Sequence, residues 1–212
     1  MRRAKKIPKP TITRLSLYYR QLELMKFDGY RMVSSEKLAW LCQVNPAQVR
    51  KDLGYFGEFG VRGVGYDVQE LHEQIKKILA INKEWNTAIA GIGRLGSALL
   101  QHKNLAERGF KCVAAFDIHP EKIGIHTPTG VVIQHIDELQ ETVKERNIKI
   151  GIITVPPHEA QKVADYFFEA QVYAILNFSP TRIQAPDCCL VENIDFTVKL
   201  DILTYKFTKG LS

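Results

Sequence analysis

Four cysteines in 212 residues, none at a C-x-x-C spacing and two of them adjacent, supply neither a disulfide framework nor a zinc-ligand pattern. Cys42, Cys112, Cys188 and Cys189 are therefore expected to be buried, unreactive thiols. No apolar run approaches the roughly 18 to 20 residues that a membrane span needs. The opening MRRAKKIPKP is basic, but no apolar segment follows it to act as an export signal. The expectation is a cytoplasmic chain with no membrane partner. Nucleophile motifs and metal-ligand clusters are also missing, and His126, His135 and His158 read as surface or capping residues rather than bases. What is present is an ordinary mixture of 45% apolar and 25% charged residues, enough to fill the core of one large domain or two small ones.

Charge divides the chain. Up to Lys83 there are 16 Lys and Arg against 8 Asp and Glu, and after it 13 against 15, so a basic first part precedes a near-neutral body. A localised basic module points to a polyanion partner, with some other task for the remainder.

Residues 1 to 11 read as a basic arm, with Pro8 and Pro10 opposing helix. From Thr13, the residues Leu15, Tyr19, Leu22, Met25 and Phe27 recur at helical steps until Asp28-Gly29 ends the run. Ser34 to Lys37 supply a cap and an acid for a second short helix through Cys42. Asn45 caps a third, Pro46 takes its first position, and it is expected to reach about Phe56. This is a helix-turn-helix arrangement, whose later helix enters the DNA major groove. With Val49, Leu53 and Phe56 inward, Ala47, Gln48, Lys51 and Tyr55 turn outward and Arg50 lies on the flank. Gln reads adenine, Lys or Arg reads guanine, Ala touches a thymine methyl and Tyr bonds a phosphate. Beyond the helix, Phe59, Val61, Val64, Tyr66 and Val68 suggest two short strands with Arg62-Gly63 at the bend. Such a wing would send a guanidinium into the minor groove.

A linking helix through Leu71, Ile75, Ile78 and Leu79 leads to Asn82, and the pattern then changes. Strand Thr87 to Ala90 runs into Gly91-Ile92-Gly93-Arg94-Leu95-Gly96 and a helix over Ser97 to Ala106. A second strand then ends at Asp117, about twenty residues on. The spacing matches a dinucleotide loop: one glycine for the turn, one for the approach of the pyrophosphate, one for helix-on-strand packing, and an acid for the adenosine ribose. A carboxylate at Asp117 favours NAD or NADH over NADP. Strands over 131–133, 150–155, 173–178 and 190–194 alternate with helices over 137–146 and 158–170. The expected fold is thus α/β, an N-terminal winged helix-turn-helix followed by a Rossmann-type doubly wound parallel sheet over 84–194. Thr154-Val155-Pro156 and Asn177-Phe178-Ser179-Pro180 open on its ligand crevice, where nicotinamide would lie. Phe196, Leu200, Leu203 and Phe207 mark one face of a closing helix over 195–212, free to pack on a partner chain.

A dehydrogenase needs a catalytic group and usually a substrate region, and residues 84–194 are only long enough for the nucleotide fold itself. A nucleotide- or CoA-binding scaffold fits the fold but leaves the basic module without a task. The segments RLSLYYR (14–20), VSSEKLA (33–39), QVRKDLGYFGEFGVRGVGY (48–66), GIGRLGSAL (91–99), AAFDIHPEKIG (114–124), TVPPHEAQ (154–161), ILNFSP (175–180) and VENIDF (191–196), in this order, resemble the Rex family of redox-sensing transcriptional repressors from end to end. The resemblance implies a homodimer with exchanged C-terminal helices that binds operator DNA when NADH is scarce and releases it when NADH binds. It also implies that Arg50 and Lys51 read bases, that Gly91 to Gly96 and Asp117 hold the cofactor, and that Phe196 approaches the partner's nicotinamide. Arg14 and Asp195 match a polar pair linking the two modules; the tyrosine that commonly joins them is replaced near His102.

Overall fold

A computed structural model describes residues 7–61 and 63–210. Pro8 is the last extended residue before α1 (Lys9–Phe27), and Pro10 sits inside its first turn, where a missing N–H breaks no helical bond. The helix thus begins earlier than the two prolines suggested, and the expected arm is shorter; Met1 to Lys6 lie outside the described residues. Thr11, Leu15, Tyr18, Tyr19, Leu22 and Met25 form its buried stripe, whereas Phe27, expected to join it, is 89% exposed.

The chain continues through β1 (Met32–Val33), α2 (Ser35–Leu41), α3 (Pro46–Leu53), β2 (Tyr66–Asp67) and α4 (Val68–Ile78). Ser34 caps α2 by accepting from the Lys37 N–H at 3.1 Å, and Asn45 caps α3 by accepting from the Gln48 N–H at 2.7 Å. Each such cap contributes about 1 kcal/mol. Helix α3 stops at Leu53, three residues short of the expected end, with Gly54 as its C-cap. Leu15, Leu22, Leu38, Val49, Leu53 and Ile75 close a core between α1, α2, α3 and α4. Burying each of these side chains stabilises the fold by about 1.5 to 3 kcal/mol.

The wing differs from the sequence expectation. Among the described residues a single bridge, Val61↔Gly65, joins its two sides, Tyr66 pairs instead with Val33 in the β1–β2 ribbon, and Val68 begins α4. Val33 offers an edge two residues long, and pairing Tyr66 there also buries its ring.

The chain divides between Lys83 and Glu84 into two compact units. The second contains β3 (Trp85–Ala90), α5 (Arg94–Leu100), α6 (Lys103–Glu107), β4 (Phe110–Asp117), β5 (Ile133–His135), α7 (Leu139–Glu145), β6 (Ile150–Ile153), α8 (Ala160–Glu169), β7 (Ala174–Asn177), β8 (Leu190–Asn193) and α9 (Phe196–Lys209). Six parallel strands run in the order β5-β4-β3-β6-β7-β8, so the order reverses between β3 and β6. In doubly wound sheets, ligands bind beyond the strand ends at that reversal. The helix expected over 97–106 is two helices, because His102 adopts an extended conformation between them.

Helix α9 contributes no buried residue to its own chain. Phe196, Leu200, Leu203 and Phe207 are all exposed, Phe207 at 88%. So large an apolar face on one helix is what an oligomer interface presents before its partner is added.

Candidate functional site

On α3, Ala47 and Lys51 are exposed and Tyr55, just beyond its end, is half-buried. Arg50 is exposed but engaged: its guanidinium donates to Ser35 Oγ at 2.7 Å and lies 3.5 Å from Glu36 Oε1 on α2. Gln48, expected to face a base, is half-buried and donates to Asp52 Oδ1 at 2.8 Å. Helical spacing explains the difference, since Gln48 and Asp52 are four apart and share one face. At the wing tip, Gly63 has φ +82°, a conformation that favours glycine, and an added Cβ would meet nothing within 4 Å. Arg62, assigned to the same tip, lies outside the described residues.

Asp52 is the residue that sequence reasoning missed. It is fully buried on the recognition helix and collects donors from Thr11 Oγ1 (3.0 Å), Tyr18 Oη (2.9 Å) and Gln48, with two further bonds from Arg14 at 2.5 and 2.8 Å. Burial alone would raise its pKa. The hydrogen bonds from Arg14, Gln48, Tyr18 and Thr11 outweigh that and hold it below the usual carboxylate value. The signal was present: Thr11 and Tyr18 are polar-tipped residues on the buried stripe of α1, and buried polar groups require partners.

Gly91 leaves β3 with φ +95°, and an added Cβ would press on Val155 Cγ1 at 2.7 Å and the Thr154 backbone at 2.9 Å. Thr154 Oγ1 donates to the Gly91 carbonyl at 2.6 Å, and a Cβ at Gly96 would overlap that same carbonyl. Gly93 contrasts with both, for nothing stands within 4 Å of its added Cβ. The loop is thus tight where it meets the sheet and open at the helix entrance, where Arg94 and Leu95 in the first turn of α5 carry the backbone N–H groups that an anion would meet.

Asp117, at the end of β4, is buried and bonded at both oxygens. Its Oδ2 accepts from the Ile92 N–H at 2.8 Å and from Lys122 Nζ at 2.9 Å; Oδ1 meets the N–H groups of Ile118 and His119 and the His119 ring. Burial would raise this carboxyl, but the bonds from Lys122, His119 and Ile92 hold it far below the usual range. Asp117 therefore pins the glycine loop, and ribose hydroxyls placed here would compete with Lys122 or His119 for it. The Lys122 charge also offsets the repulsion on which the preference for NAD over NADP was argued.

At the neighbouring strand ends, Thr154 and Val155 are half-buried and Pro156 is exposed. Asn177 is fully buried and committed: its amide donates to the Ser179 and Thr181 carbonyls and to Asn193 Oδ1, and its oxygen accepts from the Ser179 N–H. It braces β7 to β8 rather than offering a free group, leaving Phe178, half-buried, beside it. Ser179 Oγ, in the strand-end segment expected to open on the crevice, is buried with no hydrogen-bond partner among the described residues. An orphaned hydroxyl beyond β7 and an open Gly93 both fit a nucleotide.

Arg14 is held by Asp52 within the first unit, and Asp195 caps α9 by accepting from the Thr197 N–H and hydroxyl at 2.9 and 2.6 Å. His102 is exposed at the start of α6, and Phe196, on the first turn of α9, is 67% exposed. Among the described residues no group of three His, Cys, Asp or Glu side chains is placed to hold a metal ion, and no helix is long and apolar enough to cross a membrane.

A DNA-reading helix-turn-helix with a small wing, carried by the same chain as a doubly wound nucleotide fold, defines a ligand-responsive transcription regulator. A family profile described as the N-terminus of a putative DNA-binding protein matches residues 6–54, and a CoA binding domain profile matches residues 82–181. The redox-sensing transcriptional repressor Rex of Syntrophobacter fumaroxidans is 55% identical over 97% of this chain and 98% of its own. That of Carboxydothermus hydrogenoformans is 48% identical over 96% and 98%. The crystal structure of RSP in complex with β-NAD+ and operator DNA superposes with a TM-score of 0.91 at 32% identity, covering 96% of this chain and 94% of that one. RSP in complex with β-NADH gives 0.89 at 30% identity, covering 97% and 96%. The chain belongs to the Rex family of redox-sensing transcriptional repressors. Its relatives are named as regulators, not as enzymes.

Proposed function

We propose that this protein binds double-stranded operator DNA as a homodimer when NADH is scarce, represses transcription there, and releases the DNA when NADH binds. The observation that carries the reading is the Gly91–Gly96 loop, pinned by Asp117 and open at Gly93, in a chain whose α3 presents exposed Lys51 and Ala47. Lys51 is the base-reading cation. Arg50 reaches a base or phosphate once it leaves Ser35, while Tyr55 and the Arg62-Gly63 tip contact the backbone. Gln48 reads a base only if it leaves Asp52. As a DNA-binding repressor the protein works in the cytoplasm.

NAD and NADH differ only at the nicotinamide, planar and cationic in one and puckered and neutral in the other. Discrimination therefore belongs to groups around that ring, not to Gly91 through Gly96. Phe196 of an exchanged α9 is such a group, because an apolar ring disfavours burying an uncompensated cation. The relay to DNA runs through Arg14, Asp195 and the His102 position. In the structure Arg14 and Asp195 are satisfied within their own units, so the relay requires each to exchange partners.

The test is a titration of operator DNA with NADH and NAD in parallel. NADH is expected to weaken binding by roughly 5- to 150-fold, the usual range of an allosteric coupling, and NAD by much less. Equal effects of the two nucleotides, or none, would refute the reading. Sustained oxidation of NADH with small carbonyl compounds would favour a dehydrogenase instead.

A further inference from the structure

We propose that Cys188 and Cys189 form a two-thiol site for a thiophilic trivalent metalloid, independent of the nucleotide crevice and the DNA-reading helix. Neighbouring side chains of an extended segment point to opposite faces. Here a turn at Asp187-Cys188, closed by the Cys189 N–H on the Pro186 carbonyl at 2.9 Å, brings the two sulfurs to the same side, 3.7 Å apart. Cys188 is exposed and Cys189 half-buried, so both are open to a small reagent. That corrects the expectation that this pair is buried.

The donor set selects the ligand. Zinc at a structural site takes four ligands, and among the described residues no third His, Cys, Asp or Glu is placed to join the two thiols. Two soft sulfur donors suit a soft centre that is satisfied by two protein bonds. A monosubstituted trivalent arsenical is one: its arsenic–oxygen double bond breaks, two arsenic–sulfur bonds form, and the oxygen leaves as water with both thiol protons. Arsenic stays trivalent, so no oxidant or reductant is consumed. Once one sulfur is attached, the second bond closes within the molecule, which gives such a pair its advantage over single thiols. The other two cysteines are single: Cys42 and Cys112 lie in different units, and burial pushes each thiol up to about 11.

The experiment treats the reduced full-length protein with one equivalent of phenylarsine oxide, then with excess glutathione, and follows intact mass. Wild type and the Cys42→Ser/Cys112→Ser variant are expected to keep one phenylarsenic group, with loss of two thiol hydrogens, until a dithiol such as 2,3-dimercaptopropanol removes it. Cys188→Ser and Cys189→Ser are each expected to lose the group to glutathione about a hundredfold faster. These two positions lie on an exposed turn outside the core, and circular dichroism checks that each variant is folded. The proposal fails if wild type retains no glutathione-resistant group, if either single variant retains it as well as wild type, or if resistance disappears with Cys42 and Cys112 instead.

Discussion

Replacing Arg14 with Ala is expected to loosen the recognition helix before any ligand is considered. Among the described residues Arg14 supplies the only cation bonded to Asp52, and it does so with two hydrogen bonds. Without it the carboxylate stays buried with three neutral donors, from Thr11, Tyr18 and Gln48. Breaking one side of a buried ion pair typically costs about 3 to 5 kcal/mol. The Arg14 side chain is 21% exposed, so water relieves part of that, and about 2 to 3 kcal/mol is the figure to expect. Adding Asp52→Asn removes the stranded charge and should recover about 1 kcal/mol or more, a coupling readable from a double-mutant cycle. Hydrogen exchange at the α3 amides is the suitable assay, because it reports local opening of Pro46–Leu53 rather than an average over two units. Unchanged α3 protection in Arg14→Ala, or strictly additive effects in the double variant, would refute the argument. Asp52→Asn alone leaves Asp195 untouched, which separates this role of Arg14 from the relay.

Lys51→Ala is expected to weaken operator binding by about 1 to 3 kcal/mol and relax base preference at one position, measured by titration against operator variants. Gly93→Val should abolish NADH binding in calorimetry while leaving melting and operator affinity unchanged, since the added side chain enters open space. His72 is buried, stacked on Tyr19 with ring centroids 4.5 Å apart, and among the described residues neither ring nitrogen has a hydrogen-bond partner, although Nδ1 lies 3.4 Å from Glu73 Oε1. Burial first, then Lys26, lowers its pKa against the opposing pull of Glu73 and Glu23. The neutral form is therefore favoured on folding. That stabilisation is complete above the ordinary value of 6.5 and is lost as the pH falls through the depressed folded value. His72→Phe should flatten the fall in stability of the first unit below pH 6.5, seen in denaturant titrations at several pH values; an unchanged pH profile would count against it.

The helices and six parallel strands were legible because their signals are local: Asn45-Pro46 at a helix start, apolar runs such as Thr87 to Ala90, and glycines at a strand end. The glycine loop was legible for the same reason. What escaped was decided by partners far away in sequence. Tyr66 pairs with Val33 because β1 happens to present an edge, and nothing within the stretch 59–68 announces that. Helix phase places Gln48 and spacing from the glycine loop places Asp117, but neither signal shows the partners each side chain holds: Asp52 in one case, and Ile92, His119 and Lys122 in the other. A helical wheel places Asp52 correctly on the inner face, but only a charge inventory of α1 would have shown that Arg14 waits there.

The clasp of Asp117 on the Ile92 amide has a bearing on timing. That bond and the Thr154 hydroxyl on the Gly91 carbonyl are made by the chain's own groups, so the glycine loop proposed to take the pyrophosphate is braced by protein contacts. An incoming nucleotide need not wait for a loop to order, and a departing one leaves no collapsed loop that must reopen. If the loop takes the nucleotide as proposed, loop ordering adds nothing to the lag between a change in the nucleotide pool and a change at the operator. A regulator of this design keeps no memory in its cradle: each vacancy is filled according to the pool of that moment, not the one before it.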